Sequence, residues 1–531
     1  MGVSGRRATA VLLAGAILGA CSAPGGQATA ASGAPAASAA TTAQASKVDP
    51  NATIHIRCQN DSTTLDPALG TAPYVADIVA PAYEPLIHMG NDGSYQPGLA
   101  TKWEYTDNGG VLELTLRSGV KFSDGTAFNA AAVKANIERG KTIPKSGVAA
   151  ELGAITTVDA VNDTTVDLHL KPGQGGTLLE SLTSLPGMMV SPAAFSNKDL
   201  AQHPVGTGPF TLASYKPGVS ITYQRNESYW GTKALAAKVE IDFIGDATAA
   251  LNALRTGAVD MMGGSDCGLS GPELATAKST SGISVQKLPV GLFVQNIMID
   301  RSKPPLSIDK VREAMNYAFD RAAIVKTLGY GTPTVQYAPR GTVYFDKSID
   351  GYYTYDVAKA KQLLTEAGYP NGFAMKIAYN GLNKQLGQIT QILQQYLQAV
   401  GIKATLEPLD GPALRTTCFT NGKCDSLSGA ESNRVDTANE AARLFAATGS
   451  TNLGNVAPPA DVQQLMNAAQ EPTTDAEHVK RVQALSAQLV KDGMNIPLFN
   501  VDTYVESRAG TSAPYGIYSY PDYAKLSKDK Q

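Results

Sequence analysis

In the first half of the chain, apolar and polar residues alternate over several short stretches. Ile54–Cys58, Val111-Leu-Glu-Leu-Thr-Leu-Arg117 and Thr164–Leu170 carry aliphatic side chains at every second position, the pattern of strands with one buried face. Ser220–Gln224, Lys238–Ile244 and Ile283–Leu288 read the same way. Ser62–Pro67, Asn91-Asp-Gly93 and Ser123-Asp-Gly125 supply turns. Helical spacing is sparser: Ala76–Tyr83, interrupted by Pro81, then Ala130–Glu138 and Ala247–Arg255, the last stopped by Gly257.

From residue 302 onward the period lengthens. Ile308 to Leu328 places Val311, Met315, Ala318, Phe319, Ala322 and Val325 on one stripe and predicts a helix over the whole span. Asp356 is placed to cap a helix that runs to Ala367 and leaves at Gly368, with Pro370 beyond. Leu386–Val400 is amphipathic and stops at Gly401, and Thr474-x-x-Glu477 is a capping box for a helix ending near Gly493. Strands at Ala374–Tyr379, Ile402–Glu407 and Ile496–Phe499 fall between them. This alternation predicts a second α/β body. The two halves meet in Val285–Asp300, where two strand-length apolar runs are separated by Pro289 and Gly291. Proline cannot donate to a ladder and glycine relaxes the backbone, so pairing is expected to break there. The stretch reads as a crossover between two lobes; a bulged strand inside one domain has the same local pattern.

Composition narrows the function. A chain of 531 residues exceeds one ordinary core. A net charge of −3 with 17% charged residues gives no field for nucleic acid or an anionic membrane surface. Arg6-Arg7 followed by Ala8–Leu18 has the layout of an export signal, and the apolar run is too short to span a bilayer. It ends in Leu18-Gly19-Ala20-Cys21, which resembles a lipobox, so the mature chain is expected to begin at a lipidated Cys21; a plain secretory signal is the alternative. Ser22–Ser46 is almost all small and polar residues and reads as a flexible spacer. The remaining cysteines, Cys58, Cys267, Cys418 and Cys424, allow three pairings. Cys418 and Cys424 bracket a turn-rich loop that a bridge could close, which would leave Cys58 for Cys267.

Catalytic signatures are weak. The five histidines, at 55, 88, 169, 203 and 478, lack the spacing of a helical zinc site, and no metal ligand set is expected. His169 lies on the polar side of its strand with Asp167 and Thr165 and reads as solvated. Val205-Gly-Thr-Gly-Pro-Phe210 lacks the spacing of a nucleotide loop, so no cofactor is expected. Gly263-Gly-Ser-Asp-Cys267 lacks the closing glycine of a nucleophile elbow, which leaves an exported hydrolase little support.

A resemblance then covers nearly the whole chain after the spacer. Pro97–Trp103 leading into Leu114–Thr126, Val205–Phe210 continuing to Arg225-Asn-Glu-Ser-Tyr-Trp230, Val311–Arg321, Ala360–Pro370 and Ile496–Phe499 together resemble the extracellular solute-binding protein family 5 of ABC importers. That family binds peptides, dipeptides and nickel chelates. The resemblance implies an α/β, two-lobed periplasmic-binding-protein-like fold (type II, cluster C) with an extra inserted domain. The expected layout is a signal and lipobox at 1–21, a linker at 22–50, and a first-lobe core from 51–91, 204–290 and 495–531. An inserted domain would occupy 92–203 and the second lobe 291–494. It also implies a monomer, tethered to the outer face of the cell membrane, that captures a peptide or peptide-like solute without catalysis and docks on a permease and ATPase complex. A solute sensor with no transport role, or a binder of a metal chelate or other non-peptide, fits the same sequence.

By position, the first-lobe wall of the ligand cleft falls at Thr71, Ala72 and Tyr74, and Phe293 and Asn296 border the gap past the crossover. In the second lobe, peptide binders carry Gly-Trp-x-x-Asp, whose carboxylate holds the ligand ammonium. Here the run is Gly429-Ala-Glu-Ser-Asn433, followed by Arg434. Asn433 keeps an acceptor and loses the charge. Glu431, two residues away and on the same side of an extended segment, is the expected substitute. A Glu431 and Arg434 that are merely solvated would fit the pattern equally.

Overall fold

The computed structural model describes residues 47–530 other than 63, 72, 73, 270, 433 and 519. The predicted Cys21 lipidation site, Ala72 and Asn433 therefore lie outside the described residues. Strand β1 (Thr53–Cys58) enters a sheet with Ile54 and Ile56 on the buried side. The chain then leaves for a four-stranded antiparallel sheet made of β2 (Ala100–Thr106), β3 (Val111–Leu116), β4 (Ile155–Asn162) and β5 (Thr165–Leu170), ordered β2-β3-β5-β4. Leu112, Leu114, Val166 and Leu168 of this sheet pack a core of their own with Val133 and Ile137 of the helix Ala130–Thr142.

The chain returns to the first sheet with β6 (Phe210–Lys216), β7 (Ser220–Arg225), β8 (Lys238–Phe243), β9 (Met261–Gly263) and β10 (Ile283–Lys287). β1 runs parallel to β8 on one side and to β9 on the other. β11 (Phe293–Ile299) opens a different sheet, so the ladder does break at Pro289 and Gly291, as the sequence predicts. Gly291 is needed for space: a Cβ there would lie 2.2 Å from the Val501 carbonyl oxygen.

The second sheet adds β12 (Thr332–Pro333), β13 (Ala374–Asn380), β14 (Lys403–Leu409), β15 (Ser426–Ser432) and β16 (Ile496–Val501), in the order β12-β16-β11-β15-β13-β14. β17 (Tyr504–Arg508) then takes the chain back to the first sheet, pairing with β9 and β10. Helices Asp309–Tyr317, Val357–Glu366 and Lys384–Ala399 cover the second sheet and share its core with Ile377, Leu498 and Phe499.

The helix expected over 308–328 is two helices. The Asp320 carboxylate accepts the Ala323 N–H at 2.9 Å and starts a second one, Arg321–Leu328, so Ala322 is exposed rather than part of a continuous stripe. The first predicted helix is shifted to Tyr74–Val79 and ends ahead of Pro81. Both cysteine pairs are at bonding distance, with sulfurs 2.08 Å apart for Cys58 and Cys267 and 1.97 Å for Cys418 and Cys424.

Candidate functional site

The body from Val48 onward is one compact unit, because the four-stranded region is stitched along one side to the region of the second sheet. Gly176 donates its N–H to the Gln470 carbonyl at 2.8 Å, Val343 its N–H to the Asp92 carbonyl at 2.8 Å, and the Tyr344 and Tyr95 hydroxyls meet at 3.3 Å. The Thr183 hydroxyl lies 2.8 Å from that of Tyr518. This seam is where the sequence predicts an enclosed solute.

Its most buried part is ionisable. Helix Thr437–Phe445 is capped by Asp436, whose Oδ1 accepts the Ala438 N–H at 2.9 Å. Glu180, on the helical turn Leu178–Ser181 of the opposite side, reaches this helix N-terminus. Its carboxylate accepts the Asp436 N–H at 3.1 Å and the Asn439 amide at 2.7 Å. Amide donors and the positive end of the helix favour an anion there. Burial, and then the Asp436 charge, nevertheless push the Glu180 carboxyl up to about 7. His478, on the helix Asp475–Lys491, places Nε2 2.6 Å from Asp436 Oδ2. Burial alone would lower this imidazole, but the charge and hydrogen bond of Asp436 outweigh it and hold it above its ordinary value.

Two arginines complete the seam. Arg434 grips Glu151 with two bonds, Nη1 to Oε2 at 3.1 Å and Nη2 to Oε1 at 3.0 Å, the forked geometry that suits a guanidinium and a carboxylate. Arg443 Nη2 donates to Glu431 at 2.6 Å and to Glu440 at 2.7 Å. Burial pushes the Glu440 carboxyl up to about 7, although Arg443 pulls the other way.

The predicted cleft residues fall partly together. Phe293 and Asn296 on β11 lie beside β15, with Asn296 opposite Gly429 and Phe293 opposite Ser432. Asn296 is wholly buried; its Nδ2 donates to the Val294 carbonyl at 3.2 Å. A Cβ built on Gly429 meets no atom within 4 Å, so open space adjoins the strand there, and Ala430 beside it is exposed. Glu431, the expected stand-in for a lost charge, is already taken by Arg443. Arg434 is held by Glu151 rather than solvated. Thr71 is exposed, and Tyr74 begins its helix half-buried against the first core. Glu151, Glu180, Asp436, Arg443 and His478 were not singled out from the sequence. Only Asp436, one residue ahead of Thr437-Ala-Asn-Glu440, carried a readable signal, that of a helix cap. Gathered here are carboxylates, guanidinium groups and amide donors, which suit a polar solute held by charge-assisted bonds.

The family model for bacterial extracellular solute-binding proteins, family 5 Middle, matches residues 94–455. The chain belongs to that family. Among curated relatives, the glutathione-binding protein GsiB of Escherichia coli strain K12 is 31% identical over 355 residues, covering 66% of this chain and 68% of that one. The solved substrate-binding protein CtaP of Listeria monocytogenes superposes with a TM-score of 0.78 at 20% identity, over 90% of this chain and 99% of that one. DppA of Helicobacter pylori, solved with the peptide STSA, gives 0.71 at 23% identity over 92% and 100%. NikA of Brucella suis, solved with Fe(III)-EDTA, gives 0.77 at 22% identity over 90% and 100%. The two-lobed α/β fold of periplasmic binding proteins is therefore this chain's fold. As a family 5 protein it is an extracytoplasmic binding protein rather than an enzyme.

Proposed function

We propose that this protein captures a peptide or peptide-like organic solute between its lobes and delivers it to the permease and ATPase of an ABC importer. The supporting observation is the seam, where buried hydrogen-bonding and ionisable groups of the two sides meet beside an apolar cluster that Val290 and Ile517 share with Val435 and Phe445. Ligand that contacts both walls favours the closed arrangement by its extra contacts there. The likeness to a protein named for glutathione, and to a fold solved around a peptide, supports the solute class. In this reading 51–91, 204–290 and 495–531 form the first-lobe core, 92–203 its inserted domain and 291–494 the second lobe. Both cysteine pairs are oxidised bridges, which suits a protein working outside the cytoplasm. Cys21 carries lipid, and the linker lets a monomeric body reach its membrane partner.

The residues favour a solute with a carboxylate over one known only by its ammonium. Glu431 is engaged by Arg443, and Asn433 has no charge. Arg434, with 40% of its side chain exposed, can trade Glu151 for a solute carboxylate. Native mass spectrometry of protein purified from its host tests the proposal, together with calorimetry against dipeptides, tripeptides and glutathione. Release of a small peptide-like mass, with binding of at least one panel member, supports it. A co-purified metal chelate, or turnover of any compound, rejects it.

A further inference from the structure

We propose that His55, Glu240 and Asp242 form a site for one divalent transition-metal ion of the zinc class, separate from the seam. β1 and β8 run parallel with His55 opposite Glu240 and Arg57 opposite Asp242. Successive side chains on a strand alternate faces. Ile54, Ile56, Val239 and Ile241 point into the first core, so His55, Glu240 and Asp242 share the other face. All three are half-buried, and their donor atoms lie within 4.8 Å of one another. His55 Nδ1 and Asp242 Oδ2 are 3.2 Å apart. Ligands bound tetrahedrally at about 2.0–2.2 Å stand roughly 3.4 Å from each other, so an ion that displaces the His55–Asp242 hydrogen bond needs little movement of either group. Glu240 has only to swing its carboxylate inward, and water fills the fourth position.

Charge points the same way. Two carboxylates, Glu240 and Asp242, project from one face of one strand beside His55, with the Arg57 guanidinium turned to the Ile244 and Gly268 carbonyls. The nearby Asp260 is committed elsewhere: it takes Lys528 Nζ at 2.6 Å and the His55 backbone N–H at 3.0 Å. An imidazole with two carboxylates suits zinc, cobalt or nickel better than calcium or magnesium, which prefer all-oxygen shells. The spacing of histidines along the sequence could not show this site, because its donors come from strands far apart in the chain.

The test is calorimetric titration of the chelator-stripped full chain with Zn2+, repeated with Co2+ to read imidazole ligation from its visible absorption. One equivalent is expected to bind. His55→Gln, Asp242→Asn and the shape-preserving Glu240→Gln should each weaken it by at least about tenfold, the lower end of what even an outer-shell change does. His169→Gln, which removes the other strand histidine paired to an aspartate, should change nothing. Equal zinc affinity in the native chain and the His55→Gln and Glu240→Gln variants overturns the site. So does an equal loss in His169→Gln, which would mark non-specific surface imidazole binding.

Discussion

The two large sheets and the seam beside them are built from different chemistry. Inside the first lobe Ile54, Ile56, Val239, Ile241 and Phe210 are all but completely buried, and inside the second so are Ile377, Leu393, Leu498 and Phe499. At the seam, buried Glu180, Asp436 and His478 stand among apolar neighbours such as Tyr344 and Val435. Opening an aliphatic core exposes surface at about 25 cal/mol per Å², with no compensation from water. Opening a hydrogen-bonded seam exchanges each bond for one to water, at a net loss of about 1 kcal/mol. The cores are thus suited to stay shut and the seam to open and close, and this difference can be attacked from both sides.

The largest effect is expected within the first lobe. Cys58 and Cys267 are 209 residues apart, and a bridge between them would constrain the unfolded chain by about 5 kcal/mol on the loop-entropy model. Replacing both with alanine should lower urea-unfolding stability by that order, against roughly 2 kcal/mol for the six-residue separation of Cys418 and Cys424. Phe499→Ala, at a fully buried site, should cost about 3–5 kcal/mol in the same assay while leaving solute affinity within a factor of about two.

Seam changes should behave in the opposite way, with small stability effects and clear effects on binding. In this structure Glu180 and His478 are both held above their ordinary values. On opening, both return toward those values, so closure takes up protons. The contribution is fully present below the open-state values and is lost as pH rises through the closed-state ones, near 7 for Glu180. Solute should bind more tightly at pH 6 than at pH 8, by at most about tenfold per pH unit for each proton taken up. Glu180→Gln, measured by calorimetry across that range, should flatten the profile without unfolding the chain. An unchanged profile would place the proton elsewhere. The smallest effect belongs to Arg434 and Glu151, which are partly exposed. Their double-mutant coupling in urea unfolding should not exceed about 1 kcal/mol and should shrink with salt.

The sheets were legible because their strands alternate and their helices are capped. β3, β5, β7 and β8 announce themselves by period two, and Asp356, Gly257 and Thr474 mark helix ends where the structure has them. The break after β10 could be read from Pro289 and Gly291 because they deny the ladder a donor and a stiff backbone. The split at Asp320 was missed because an apolar stripe outweighed a capping residue inside it. β2, with Lys102, Trp103 and Glu104 in succession, has no clean alternation to read. The seam was least legible. Glu180 and His478 sit on elements whose own patterns say nothing of each other, and a hydrogen bond across 256 positions, from the Asp436 backbone N–H to the Glu180 carboxylate, leaves no local trace. Glu431 was picked from a motif position and does lie beside Phe293 and Gly429, but its partner Arg443 could come only from the fold.

Small-angle scattering of the full chain, with and without a saturating member of the peptide panel, tests the central claim most directly. Closure around solute predicts a smaller radius of gyration when solute is bound. Identical scattering curves with calorimetrically confirmed solute in place would contradict it.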